Sequence, residues 1–472
     1  MRRTTCVIAA LTMALLTMGD IATAVEATLW KAGVAKVKIT PQGPYFAAGY
    51  GGEKRIATEK HHDLWIKVLA LEDAQGQRGL LITSDICGFD RVSYDAICTG
   101  LKQRCGLDRA QIILNSTHNH SGPVTRNSLM PFHDFTPDDL HRIGVYTREI
   151  EQKAIDAAAE AFGCLVPATL SLGAGQVDFA VNRRNNRDAD IPKRLPHRAP
   201  LRGPVDHRVP VIAVRSPAGG LLAVVFAYAC HPVMTAESVW SGDFPGFAML
   251  DLEQAHPKVM ALFCQGCGGD QNCIRGPLAL AREQGRLLAT AVEQALAKPM
   301  TRIEPRLATT GVTILLDYER VVTGQELEAV LLAEDPGTSA KARWARQVLA
   351  ELKDRGRLPT GYSYPMQAWK LGTKTLWVAL SGEPLVDYAL TLQKQFGPET
   401  LVTGCCSDLM AYIPTRRIWE EACGEEVMYL WEYGRPAYRW AGDVEPRILA
   451  AVEQMARTLE DQTGGRESSV ER

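Results

Sequence analysis

The 472-residue chain has no internal repeat and no low-complexity tract. After its first two dozen residues it also has no run approaching the roughly 20 uncharged residues that a helix needs to cross a bilayer. These absences argue against a solenoid, an array or a bundle of membrane spans. Charge of one sign is lacking too. The 52 Lys and Arg stand against 54 Asp and Glu, a formal net charge of −2, so no global basic field draws in nucleic acid or an anionic membrane. Hydrophobic residues at 46% and charged residues at 22% are close to globular averages, which excludes a wholly disordered or collagen-like chain. A polypeptide of this length buries a large core, in several domains or in one large α/β domain.

The N-terminus is a targeting pattern. Arg2 and Arg3 precede an apolar run from Val7 to Met18, and Ala22-Thr23-Ala24 supplies the small-x-small site a signal peptidase accepts. Cleavage after Ala24 is expected, leaving a soluble protein that is periplasmic or secreted. Of twelve cysteines, Cys6 departs with the signal, and the odd number that remains cannot pair completely within one molecule. Cys264 and Cys267 form C-x-x-C, with Cys273 nearby and Cys405-Cys406 adjacent. These clusters are compatible with disulfides or with buried, reduced thiols. A zinc ribbon would need a second pair at matching spacing, and none exists.

Apolar runs rich in β-branched residues alternate with helical periodicity. Leu64–Leu71, Gly79–Ser84 and Gln111–Asn115 read as strands, with a helix between the last two. Val209–Val214 and Leu221–Ala229 read as a hairpin around Ser216-Pro217-Ala218-Gly219-Gly220. Thr375–Leu380 reads as a strand running into a helix near Leu385–Phe396. Further helices are expected over Arg148–Ala161, Ala279–Ala297 and Gln325–Arg355, the last broken near Asp335-Pro336-Gly337. The fold class predicted is α/β (α+β), with mixed β-sheets flanked by helices. Arg183–Pro204 stands apart as a long, basic, aperiodic segment, either a surface excursion or a feature of a site entrance.

The residues with the most chemistry sit at predicted strand ends. Asn115-Ser116-Thr117-His118-Asn119-His120-Ser121-Gly122-Pro123 follows one strand, and in an extended backbone His118 and His120 would face one cavity. His231 closes a second strand in Ala229-Cys230-His231-Pro232, and Glu383 a third in Ser381-Gly382-Glu383-Pro384. Open α/β sheets present ligand groups at such ends. Two neutral imidazoles and a carboxylate suit a catalytic Zn2+. Each residue also has an ordinary structural explanation, a hydrogen-bonded core histidine for His231 and a helix N-terminal carboxylate for Glu383. Asp85 and Asp243 are candidates for orienting imidazoles, Asp243 equally for capping a helix. His61-His62-Asp63 reads mainly as an exposed turn.

The run Thr117–Pro123 resembles the T-H-T-H-[SA]-G-P motif of the neutral (non-lysosomal) ceramidases. Further likenesses follow in order: Thr40-Pro41 with Gly49-Tyr50, Val181-Asn182-Arg183, Ala229-Cys230-His231, Ser241-Gly242-Asp243, Gly269-Asp270, Gly382-Glu383 and Tyr412-Ile413-Pro414-Thr415. The resemblance runs from about Trp30 to Tyr438. It implies zinc ligands at His118, His231, Glu383 and Tyr412, with His120 and Arg183 contacting the reacting carbonyl. A single catalytic domain over residues 25–460 is expected between a signal peptide at 1–24 and a flexible tail at 461–472, without the family's C-terminal immunoglobulin-like β-sandwich.

The sequence also departs from that pattern. The family's catalytic serine, in G-D-x-S-P-N, has no counterpart in Gly269-Asp270-Gln271-Asn272. Attack by a metal-activated water is expected instead, with Asp270, Gln271 or Asn272 orienting it and Cys267 as an alternative nucleophile. The expected activity is that of a zinc-dependent amidohydrolase on a small-molecule or lipid-like N-acyl substrate. An esterase on the same scaffold and a binding protein that has lost catalysis are the alternatives.

Overall fold

The computed structural model describes residues 29–52, 54–126, 130–186, 201–234, 237–335, 337, 339–421, 424 and 429–464. The expected signal segment, the last residues of the expected tail and most of the basic segment (187–200) lie outside them. As expected, the architecture is mixed α/β, a single domain built on a thirteen-stranded sheet flanked by helices.

From edge to edge the main path runs Met260–Gln265, Leu221–Tyr228, Arg208–Arg215, Val166–Gln176, Trp30–Lys38, Trp65–Glu72, Arg78–Ser84, Ile112–Ser116, Leu401–Cys406, Thr375–Ser381, Gly361–Leu371 and Leu307–Asp317. Three neighbouring pairs are parallel: Leu221–Tyr228 with Met260–Gln265, Arg78–Ser84 with Ile112–Ser116, and Thr375–Ser381 with Leu401–Cys406. Their strands are buried on both faces, so they appear in the sequence as unbroken apolar runs.

The sheet folds over on itself around one inner core. That core joins Ile212, Val225 and Leu262 on one wing to Trp369, Trp377 and Leu401 on the other. Asn115 fastens the seam. Its amide nitrogen donates to the carbonyls of Gly404 (2.8 Å) and Gln265 (3.4 Å), and its oxygen accepts from the Gln265 amide (3.0 Å). A Gly266–Thr403 bridge adds to it. The strand ends that precede His118, His231 and Glu383 are thereby drawn to one side of the molecule.

Helices cover the outer faces with three further cores. Pro137–Gly163 starts eleven residues before the expected Arg148, because Thr136 and Asp139 form a reciprocal capping box with Pro137 in the first turn. The predicted break near Asp335 separates Gly324–Ala333 from Ala340–Arg355. A final helix, Val444–Gly464, continues past the expected domain end at 460. The ten described cysteines are free thiols, and the Cys264 and Cys267 side chains are fully buried. No helix among the described residues is long and apolar enough to cross a membrane.

Candidate metal centre

Each of three strand ends delivers one side chain to a common point. His118 follows Ile112–Ser116, His231 follows Leu221–Tyr228, and Glu383 follows Thr375–Ser381. Oε2 of Glu383 lies 3.2 Å from Nε2 of His118 and 3.0 Å from Nε2 of His231. All three side chains are almost completely buried. His118 and His120 do meet in one cavity, but not by strand alternation. The strand has ended at Ser116, and His118 adopts a left-handed backbone with φ of 60°. Strain of this kind is held in place by surrounding contacts and concentrates at functional sites.

The far side of each imidazole is fixed by backbone. Nδ1 of His118 donates to the Cys87 carbonyl at 2.8 Å. Nδ1 of His231 donates to the Gly268 carbonyl at 2.6 Å, with the Gln271 carbonyl 3.2 Å away. This arrangement sets the tautomer and leaves each Nε2 lone pair directed at the shared point, as in metal-ligating histidines. Glu383 is held as well, through the hydroxyl of Tyr433 on Oε1.

The charges of the cluster require one positive partner. Burial raises the Glu383 carboxyl pKa, but His118 and His231 outweigh it and hold that pKa well below the usual range. Burial disfavours charge on His118, yet Glu383, with Cys405 and Cys87, pushes its pKa well above 6.5. Burial, then Arg183, lowers His231 to about 4, keeping it neutral. A buried carboxylate between two imidazoles is thus balanced either by a proton on one ring or by a cation. His118, His231 and Glu383 place one ligand atom each within 4.8 Å of one another, which fits a divalent ion.

His118 and Glu383 line a cavity of about 320 Å³ whose wall also includes Tyr50, Cys87, His120, Arg183, Arg275, Tyr412 and Tyr433. Tyr412 pairs with Glu383 across a short parallel bridge. Its hydroxyl accepts from Arg183 Nη2 at 2.9 Å, and the same nitrogen donates to the Gly269 carbonyl at 2.8 Å. His120 is buried, with Nε2 3.2 Å from Nε2 of His118 and no hydrogen-bond partner on Nδ1 among the described residues.

Asp270 and Gln271 are not among the cavity-lining residues. The Asp270 carboxylate accepts from Val386 N, Gln271 Nε2, Asn182 Nδ2 and Arg417 Nη2, so it ties four segments together next to the His118, His231 and Glu383 cluster. Gln271 contributes its backbone carbonyl to His231 and its amide to Asp270 and Pro204. Cys267 is fully buried, and burial pushes its thiol well above the ordinary range, which removes it as a nucleophile. Asp85 accepts from Trp65 N, and Asp243 from Met234 N and Phe244 N, whereas the imidazoles are oriented by backbone carbonyls. His62 accepts from the Gly242 amide and does not line the cavity. Glu383 precedes its helix, which begins at Val386, and its carboxylate is committed to the cluster rather than to a helix terminus.

Sequence reasoning passed over Tyr433, Arg275 and Arg55. Arg55 donates to the carbonyls of His120 (2.8 Å) and Ala48 and stacks on Tyr50, joining the His120 segment to the opposite wall. None of the three lies in an apolar run or a repeated motif; only Gly49-Tyr50 beside Arg55 carried a signal.

No protein-family model and no curated protein matches the sequence. The fold is similar to that of solved ceramidases. The neutral ceramidase from Pseudomonas aeruginosa superposes with a TM-score of 0.64 at 16% identity, covering 86% of this chain and 72% of that one. A ceramidase solved in complex with C2 superposes with a TM-score of 0.68, also at 16% identity, covering 92% and 76%.

Proposed function

We propose that the chain is an exported, zinc-dependent hydrolase of N-acyl amide bonds, with residues 25–460 as its catalytic domain after a signal peptide at 1–24. The reading is carried by one observation: His118, His231 and Glu383 converge with both imidazole Nδ1 atoms already donating to backbone carbonyls. Its support from kinship is the ceramidase fold.

Tyr412, which the resemblance makes a fourth ligand, lines the same cavity and pairs through its backbone with Glu383, and we take it as that ligand. A zinc ion held there would polarise an acyl carbonyl and bring the pKa of water down to about 7. Arg183, held by Gly269 and Tyr412, directs positive charge at the carbonyl oxygen, where one good donor is worth about 3–4 kcal/mol as negative charge develops. His120, kept well below the ordinary imidazole range by burial and by His118 and His231, is neutral and sits within reach to exchange a proton with the attacking water or the leaving amine. Asp270 and Gln271 act as positioning residues behind His231 and Arg183, whose amide donates to the Asp270 carbonyl at 2.9 Å. No serine lines the cavity among the described residues, consistent with water as nucleophile.

The test is hydrolysis by purified protein of N-acyl sphingosine, short N-acyl amines and matched esters, with His118→Ala as control. Amide cleavage lost in the variant supports the reading. Cleavage of esters alone rejects the amide assignment, and no cleavage of any of them by zinc-loaded protein rejects hydrolysis.

A further inference from the structure

A thiol shares the cavity with the two histidines of the H-x-H segment. Cys87 is 2% exposed, lines the cavity and is not disulfide-bonded. Its Sγ lies 3.8 Å from Nδ1 of His118, while its own backbone carbonyl is the group that orients that ring. One ligand atom each from Cys87, His118 and His120 falls within 4.8 Å of the others, a second constellation of metal-binding size. It overlaps the first only at His118.

His120 gives the independent indication. The ring is 8% exposed, lines the cavity and has a buried Nδ1 without a hydrogen-bond partner among the described residues, although His118, His231 and Tyr50 crowd around it. Its Nε2 stands 3.2 Å from that of His118, so the two rings present nitrogens to the same point.

We infer that Cys87, His118 and His120 form a second, mutually exclusive site for a thiophilic cation such as Cd2+ or Cu+, alternative to the His118, His231 and Glu383 set. The selection follows from the donor atoms. The Glu383 set offers nitrogen and oxygen, which suit Zn2+, whereas sulfur with two imidazoles shifts preference toward softer ions. Binding releases the Cys87 proton to solvent and leaves a thiolate as ligand. His118 has one lone pair free, on Nε2, because its Nδ1 hydrogen is given to the Cys87 carbonyl. An ion drawn to the sulfur therefore competes with the hydrolytic ion and stops turnover. The inference shares His118 with the proposed function, but it stands on Cys87 and His120 rather than on hydrolysis.

Metal-free protein titrated with Cd2+ tests it through the ultraviolet sulfur-to-cadmium charge-transfer absorption. The band should appear in the parent protein and vanish in Cys87→Ser. His120→Ala should weaken the apparent affinity by about 10-fold or more, and His231→Ala should leave the band in place. A band of unchanged intensity in Cys87→Ser, or no band in the parent, overturns the inference. Equal loss in His231→Ala and Cys87→Ser also overturns it, by showing one merged site. Far-ultraviolet circular dichroism of each variant separates ligand loss from misfolding. If the parent binds Cd2+ through Cys87 but hydrolyses none of the amides or esters with zinc, this inference survives and the proposed function fails.

Discussion

Tyr433 donates its hydroxyl hydrogen to Oε1 of Glu383 across 2.5 Å, while Oε2 of the same carboxylate faces His118 and His231. The two oxygens thus have different partners, and the carboxylate plane cannot rotate without giving up one of them. A ligand oriented in this way presents a single oxygen to the ion. Tyr433→Phe removes the hydroxyl and leaves the ring. Metal affinity is expected to fall about 10–100-fold, the usual cost of losing such a partner. Competition with a chromophoric chelator measures it, and an unchanged affinity would contradict the role given to Tyr433.

Glu383→Gln and His120→Ala separate ligand from proton carrier. The first takes charge from the cluster and should empty it of zinc. The second should retain zinc and lower kcat by about 100-fold, a typical general acid–base contribution. Zinc content and kcat measured on the same preparations distinguish them, and equal zinc loss in both would show the division of labour to be wrong.

Gly49 gives a steric probe of His120. Its φ is 93°, and a methyl group there would lie 2.4 Å from Cγ of the His120 ring. Gly49→Ala should displace the ring, keep the zinc, and lower turnover by about 100-fold, as expected for a misplacement near 1 Å. Turnover equal to the parent's would mean that His120 position is unimportant.

How far the site could be read from sequence depended on where its residues lie. His118, His231 and Glu383 follow apolar runs that end abruptly, so both strand and endpoint are visible in the sequence. Tyr433 belongs to the short turn Leu430–Tyr433, and Arg55 to a loop before a two-residue strand; neither segment has periodicity to read. The convergence of His118 and His120 was foreseeable, but the left-handed backbone at His118 was not, because tertiary contacts impose it. The strand Val166–Gln176 was hidden by Gly173 and Gly175. These glycines are required by packing, since a methyl at Gly175 would fall 2.1 Å from the Ala291 carbonyl oxygen.

Asp85 predicts a pH dependence of stability. Burial is the largest cause raising its pKa from 3.8 to about 6, with Lys67 the main offset. A raised carboxyl pKa means that the folded chain holds the proton more tightly than the unfolded one. The group therefore costs stability as pH rises from 3.8 through about 6. Asp85→Asn keeps an acceptor for the Trp65 amide and removes that cost. Relative to the parent, the variant should gain about 2–3 kcal/mol on going from about pH 4 to about pH 7. Urea unfolding at both pH values reads the difference, and a pH-independent difference would contradict the burial argument.

The central claim is that His118, His231 and Glu383 hold one divalent ion between them. Elemental analysis of purified parent protein and of His118→Ala, His231→Ala and Glu383→Gln, each dialysed against the same zinc buffer, tests it most directly. The account predicts about one zinc per parent chain and little in any of the three variants, with far-ultraviolet circular dichroism unchanged. A folded parent without zinc, or three variants that keep the parent's stoichiometry, would contradict it.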